Sequence, residues 1–520
     1  MSNLVDSRHL TLYLASISFN YVEVGFFLYF ENSIDIVDAL LNLEKDTSMS
    51  RLVRAFTLLL LAGGLMSSQA ASAAEKNLDF EQYQDQAVTV LRDYLKIDTT
   101  VPPGNEARGA EYLKGILNKN GIEAELFETA PDRSVVYARL KGNGKKKAVI
   151  LLNHIDVVPA EAKDWKYPPF GGEIHDGEIW GRGALDMKGM GVIELMAMIM
   201  LKQSGIELDR DIIYLGTPDE EVGGEFGAGW LQKHKPEIIK SAEFLLNEGF
   251  PIESDEKGKA KYWGVDYAEK SVLWLELTTE GAAGHASMPI PGAATYRLVR
   301  ALKKIDDAGP NFRLLPEVEE YFKKIAPTED ESMKKLYASI DSSIKEKKHS
   351  HELLSDLLKS SMLRNTISLT VMKAGYKTNV IPASASAQLD CRLLPDVKKD
   401  EFIKWIKGII DDPTVKISVL EWNQSDPSSM ETEMVAAIKK VAAAEDAKVP
   451  VVPVIVPWFT DSHWFRELGV QAYGFQPCEV DKEHFATMHG KDERISIDSF
   501  KKGVVRMYKI LKEVAAADAK

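Results

Sequence analysis

The sequence predicts an α/β protein. A larger domain built on a mixed, mostly parallel sheet is interrupted by a smaller α+β domain. Three observations carry that expectation. From 80 to 250, helical patterns alternate with short aliphatic runs that read as strands buried on both faces. From 268 to 424 the strands instead alternate apolar and polar residues, and after 425 the first style returns. The chain also has 520 residues, more than one core ordinarily holds.

Taken in order, YLKGILNKN has helical spacing, SVVYARLKG and AVILLNHI are strands, and MGVIELMAMIMLKQSG is a helix. DIIYLGTPDEE is a strand that runs into polar residues, and AEFLLNEG repeats that plan. Beyond Tyr267, KSVLWLELTTEG and ISLTVMKAG alternate as half-buried strands do, and YRLVRALKKIDDA is an amphipathic helix. SASAQLDCRLLP and VKISVLEW add strands around the helix DEFIKWIKGII. Residues 310–360, charged and helical in pattern, are expected to form a solvated elaboration of this inserted domain. EMVAAIKKVAAAEDA, VIVPWF, VQAYGFQ and a closing helix FKKGVVRMYKILKEVAA resume the first style.

Composition narrows the function classes. With 45% hydrophobic and 27% charged residues the chain reads as a soluble globular protein. A net charge of -14 and the lack of a basic tract argue against nucleic-acid binding. Two cysteines, Cys391 and Cys478, cannot build a disulfide framework or a thiolate zinc site, though one bond between them stays open. The stretch from Met49 to Lys76 has the parts of a secretory signal: Arg51 and Arg54, the apolar run Phe56 to Met66, and Ala71-Ser72-Ala73 as a cleavage site. The expected organisation is therefore a mis-assigned extension at 1–48, a signal peptide at 49–74, the larger domain at 75–267 and 425–520, and the inserted domain at 268–424. A mature chain starting near Ala74, periplasmic or secreted and free of the membrane, follows from that reading.

The chemistry gathers at strand ends. In AVILLNHIDVVPA, His154 and Asp156 stand two positions apart and so point to one face, where open α/β sheets collect their ligands. Three further segments end in acids: Asp186 in GRGALDMKGMG, Glu220 and Glu221 in TPDEEVGG, and Glu248 in LLNEGF. Buried and unpaired, such acids are costly. Divalent cations resolve the repulsion, and a His/Asp/Glu set without thiolate suits zinc, with manganese or cobalt as substitutes.

The motifs HIDVVP, GRGALDMKG, TPDEEVGG, NEG, GHASMP, NVIPASASAQLDCRLLP and MHGKDERI, in this order, resemble the zinc exopeptidase and aminoacylase family that includes glutamate carboxypeptidase, aminoacylase and carboxypeptidase S. The resemblance spans roughly 80 to 510, and the stretch from Trp165 to Asp186 is similar to the carboxypeptidase S branch. It implies a dizinc exopeptidase-like catalytic domain interrupted by a lid that usually dimerises, hence a homodimer holding two zinc ions per chain. It also implies removal of a terminal amino acid from a peptide, or hydrolysis of an N-acyl amino acid.

Carried over residue by residue, the resemblance makes Asp186 the bridging carboxylate. His154 and Glu248 complete one site, and Glu221 and His489 the other. Asp156 resembles the residue that holds the ligand imidazole from behind, and Glu220 the general base. His285 in GHASMP resembles a lid imidazole that polarises the scissile carbonyl, commonly from the opposite subunit. Asn379 and Arg392 resemble lid residues that hold substrate, with Arg364 a rival for gripping a carboxylate. The family often has a cis peptide after the bridging acid, here Asp186–Met187. Trp458 and Phe459 depart from the pattern, standing where many relatives have glycines.

Overall fold

The aliphatic run Ala148–His154 forms strand β3, and all of its residues are buried. That is what a strand covered by helices on both faces requires. A computed structural model describes residues 76–346, 349–424 and 426–517, so the expected extension and signal peptide lie outside the described residues. Among the described residues no helix is long and apolar enough to cross a membrane.

β3 lies inside an eight-stranded sheet. On one side come β6 (Ile212–Thr217), β2 (Arg133–Leu140) and β1 (Ala124–Ala130); on the other come β7 (Ala242–Ser254), β16 (Gln471–Val480), β8 (Ala260–Glu269) and β15 (Val451–Val456). β6, β3, β7 and β16 run parallel, as do β8 and β15, whereas β1 and β2 form an antiparallel edge and β8 opposes β7. The sheet is therefore mixed and mostly parallel, as expected.

Helices α1 (Phe80–Leu95) and α2 (Ala107–Lys119) precede β1. Helix α3 (Lys188–Ser204) is apolar on nearly every side and is buried from Lys188 to Leu201. Such a helix must be enclosed. It packs against β3, α1 and the closing helix α7 (Ile497–Ala515). Because α3 begins right after Asp186, its packing fixes that residue against the sheet.

The inserted segment forms an antiparallel sheet in the order β11 (Thr366–Ala374), β13 (Ser384–Leu393), β9 (Ser271–Glu280), β14 (Lys416–Asn423). Alternation works here as predicted. Leu273, Leu275 and Leu277 of β9 and Leu389 of β13 pack under α4 (Ala294–Asp307) and α6 (Lys399–Ile410), while Trp274 faces outward. A short ribbon pairs β10 (Gly284–His285) with β12 (Val380–Ile381). Cys391 belongs to this core and Cys478 to that of the large sheet; both thiols are free.

Residues 310–360 differ from the solvated elaboration expected. Helix α5 (Pro316–Ile325) carries Val318, Tyr321, Phe322 and Ile325 at i, i+3, i+4 and i+7, and all four are buried with Val452, Val454 and Val456 of β15. Charge counts hid that stripe, because the flanking Glu and Lys occupy the opposite face. Phe322→Ala is expected to cost about 3–5 kcal/mol, measured as a lower urea midpoint with an unchanged slope.

Candidate metal centre

The parallel strands bring their ends together. His154 closes β3 opposite Thr217, the last residue of β6, and Glu220 and Glu221 follow in the turn after β6. β7 runs parallel beside β3 and carries Glu248 past it. Gly249 and Gly474 let β7 and β16 come close at this point, since a Cβ on Gly249 would lie 2.4 Å from the Gly474 Cα. Asp186 sits at the entrance of α3, just before a cis Asp186–Met187 peptide. His489 arrives from the turn after a short helix, Lys482–Phe485.

Two ligand groups result, His154–Asp186–Glu248 and Asp186–Glu221–His489, and they share Asp186. His154 Nε2 lies 3.0 Å from Asp186 Oδ1 and 3.8 Å from Glu248 Oε2. His489 Nε2 lies 3.0 Å from Asp186 Oδ2 and 3.1 Å from Glu221 Oε2. The two oxygens of one carboxylate thus face different imidazoles.

The donor chemistry fits a pair of cations. His154 Nδ1–H donates to the main-chain carbonyl of Asp156 at 3.0 Å, which leaves the Nε2 lone pair aimed at the cluster. Oε1 of Glu221 is buried without a hydrogen-bond partner, an arrangement a cation would satisfy. Burial and the neighbouring Glu248 push the Glu220 carboxyl well above the usual range, and burial also raises Glu248. Asp186 goes the other way despite its burial, because both imidazoles bond to it. Cations supply the positive charge these acids lack.

The same electrostatics gives a measurable sign. Before a cation binds, burial holds Glu221 at about 7, and bonds to Asp186 and Glu221 hold His489 at about 10. At pH 7 His489 therefore carries a proton and Glu221 is protonated in about half of the molecules, and a cation must expel both. Apparent metal affinity is expected to rise with pH. Titration calorimetry at pH 7 in buffers of different ionisation enthalpy should register net proton release, and none would mean these groups are not ligands.

Asp156 acts differently from the expectation that its carboxylate holds the imidazole. The main-chain carbonyl does that, and Oδ1 lies 3.8 Å from Nδ1. The carboxylate instead accepts the main-chain N–H groups of Glu220 at 3.2 Å and Glu221 at 3.0 Å, fixing the turn that presents both acids. Asp461 accepts from Thr217 Oγ1 at 3.0 Å, and burial lifts its carboxyl to about 8.

One organising residue was not singled out from the sequence. Glu493, fully buried, accepts the N–H groups of Gly183 (3.0 Å), Leu185 (2.8 Å) and Asp186 (3.0 Å), and pairs with Arg182 at 2.8 Å. It lies inside the quoted stretch MHGKDERI. Its pairing with GRGALD needed the chain to fold back: β17 (Arg494–Ser496) joins β5 (Glu178–Trp180), which in turn pairs with β4 (Glu173–His175).

The cavity at the centre, about 400 Å³, is lined by Asp186, Glu220, Glu221, Glu248 and His489 together with apolar side chains. His285, Asn379 and Arg392 are not among its lining residues. His285 is exposed on β10, with Nδ1 2.7 Å from Ser287 Oγ. The Asn379 carbonyl accepts from Ala286 N at 3.1 Å. Arg392 pairs with Asp390 of its own strand at 2.8 Å, and Arg364 keeps a buried Nε without a partner.

An α/β sheet that converges two His/carboxylate groups on one shared aspartate defines a metallohydrolase with a two-cation site. Residues 150–513 match the sequence profile of peptidase family M20/M25/M40, and the chain belongs to that family. It is 29% identical over 442 residues to a probable carboxypeptidase S-like protein of Dictyostelium discoideum, covering 84% of this chain and 80% of that one. It is 28% identical over 439 residues to aminoacylase-1 of Sus scrofa, covering 83% and 96%. Its fold resembles an M20 family metallo-carboxypeptidase from Sulfolobus solfataricus at TM-score 0.62 and 22% identity, over 82% of this chain and 99% of that one.

Proposed function

We propose that this hydrolase is a dizinc exopeptidase that removes a terminal amino acid from peptides, acting outside the cytoplasm as a homodimer. The observation that carries the chemistry is the Asp186 carboxylate shared by two ligand groups, with Glu220 facing the same cavity. The thiolate-free donor set supports zinc, with cobalt or manganese as substitutes. His154, Asp186 and Glu248 would hold one cation and Asp186, Glu221 and His489 the other, and the pair would supply Lewis acidity toward a carbonyl and a lowered pKa for water.

The chain's own groups do the rest. Glu220 takes the proton of the attacking water and returns it to the leaving amine. Asp156 keeps Glu220 and Glu221 apart in role by gripping both of their main-chain N–H groups. The likeness to aminoacylase-1 favours a second reading, N-acyl amino acid hydrolysis, since both substrates present an amide beside a carboxylate. Dipeptides and N-acyl amino acids offered to the zinc-loaded protein separate the two. Chelation is expected to abolish turnover and zinc to restore it, and activity that survives chelation would sink the proposal.

The exposed His285 suits a role across the dimer, with Asn379 beside it and Arg392, at the far end of β13, as further lid contacts for substrate. An oxyanion donor is commonly worth about 10²–10³ in turnover. His285→Ala is expected to lose that much while keeping its metal. Reassembling His285→Ala with Glu220→Gln subunits gives mixed dimers with one intact site each, so roughly a quarter of wild-type activity returns. A mixture no more active than its parents, with exchange verified, would place His285 in its own subunit. Export is tested by mass spectrometry of the native protein, which should begin near Ala74.

A further inference from the structure

The catalytic cavity has two unlike walls. One carries the acids. The other is formed by Trp458, Phe459, Phe485, Met488 and Met190. Phe485 ends the short helix Lys482–Phe485, whose N-cap Asp481 accepts the His484 N–H at 2.9 Å. Its ring sits between Trp458, with centroids 6.2 Å apart, and Phe250, 5.9 Å apart. Phe250 in turn stacks on Tyr262 at 6.0 Å. Phe459 is braced by His463, 4.0 Å between centroids.

Trp458, Phe459 and Phe485 are only partly buried although they adjoin a charged cluster, whereas Phe250 and Tyr262 behind them are buried. Water exposure of so much aromatic surface beside a reaction centre is relieved when an apolar ligand covers it. The polar group on this side, Gln476, already donates to the Leu185 carbonyl at 3.4 Å. Among the described residues no Lys or Arg lines the cavity, so an acidic side chain laid on the aromatic wall would find no cationic side chain to pair with. Behind Phe485 lies a second cavity of about 680 Å³, which Phe485 and Phe250 also line together with Tyr262, Met333 and Leu358.

We propose that Trp458, Phe459 and Phe485 form a subsite for a bulky apolar group attached next to the scissile amide, and that Phe485 sets its depth. This rests on the amide-hydrolase reading above. The group is an aromatic or branched side chain, or a medium-length acyl chain. In either case the subsite rejects acidic residues. Phe485 closes the subsite as an end wall, so shortening it joins the two cavities.

The test uses the zinc-loaded full chain and three substrate series. These are X-Ala and Ala-X dipeptides with X as Gly, Leu, Phe or Glu, and acyl-Ala from acetyl to dodecanoyl. The series in which kcat/KM climbs identifies which side of the amide occupies the subsite. From the smallest to the best apolar member the rise is expected to be about 10- to 100-fold, with Glu no better than Gly. Trp458→Gly is expected to reduce the bulky-to-small ratio about 10-fold or more. Phe485→Ala should move the optimum to longer chains, a gain that misfolding cannot imitate.

A flat series, a preference for Glu, or an optimum unmoved by Phe485→Ala overturns the subsite. If no amide is hydrolysed, the functional reading fails, and the subsite is then judged by calorimetry with the free amino acids and carboxylic acids. Binding that tightens with apolar size, and weakens in Trp458→Gly, supports the subsite; binding indifferent to size overturns it.

Discussion

Replacing Glu220 by Gln is expected to lower turnover by about 10²–10⁴ while leaving two metal ions per chain. The substitution keeps the size of the side chain and the main-chain N–H that donates to Asp156 Oδ1 at 3.2 Å, so the turn stays in place. Glu220 belongs to neither ligand group, which separates its loss from loss of metal. What disappears is a carboxylate able to accept a proton inside the cavity. Elemental analysis beside steady-state kinetics checks both halves. Near-normal turnover would assign the proton to another group, with Asp461, pushed up to about 8 by burial, the nearest rival in chemistry.

Asp186→Ala is expected to be more severe, because it empties both ligand groups at once. Each would retain two of its three members, and the two imidazoles would lose the oxygens that lie 3.0 Å from each of them. Loss of even an outer partner of a metal ligand costs about 10- to 100-fold in affinity, so loss of the shared ligand exceeds that. Metal content should drop below one ion per chain and activity should vanish. Added zinc at 100-fold over its dissociation constant stabilises the wild type by about 2.7 kcal/mol for each site filled, and the variant should gain none of that increment in thermal unfolding. A variant that still binds two ions would mean that Asp186 does not bridge.

Much of this arrangement was legible in the chain. His154, Glu220, Glu221 and Glu248 each follow or end an aliphatic run, and parallel strands must bring such ends to one edge, while Asp186 was marked by its glycine-rich turn before a helix. The alternating strands of the inserted sheet were legible for the same local reason, a period of two. What escaped depended on contacts between distant segments. The stretch KYWGVDYAE gave no separate strand in the reading, yet β8 forms because β7 continues through Glu248 to Ser254 and pairs back on it. The stripe of α5 was masked by its charges. Asp156 was assigned to the imidazole because it resembles a family residue in that role, whereas the direction of a carboxylate is set by the N–H groups that reach it.

Glu493 was the hardest to read, and its position carries a consequence for how the enzyme comes into being. The loop that holds Asp186 is fastened by a residue near the carboxyl end, and His489 arrives from the same stretch. A growing polypeptide can therefore lay down β1 through β15 and still lack both His489 of the second ligand group and the Glu493 clasp on the Asp186 that the two groups share. Competence for a pair of cations is acquired only when the last segment has been made and has threaded back beside Gly183. A product cut short before His489 would keep most of its strands yet remain inert. Molecules cut short of this stretch are thereby denied a complete hydrolytic centre, and the uptake of two cations becomes a marker that the segment carrying His489 and Glu493 is in place.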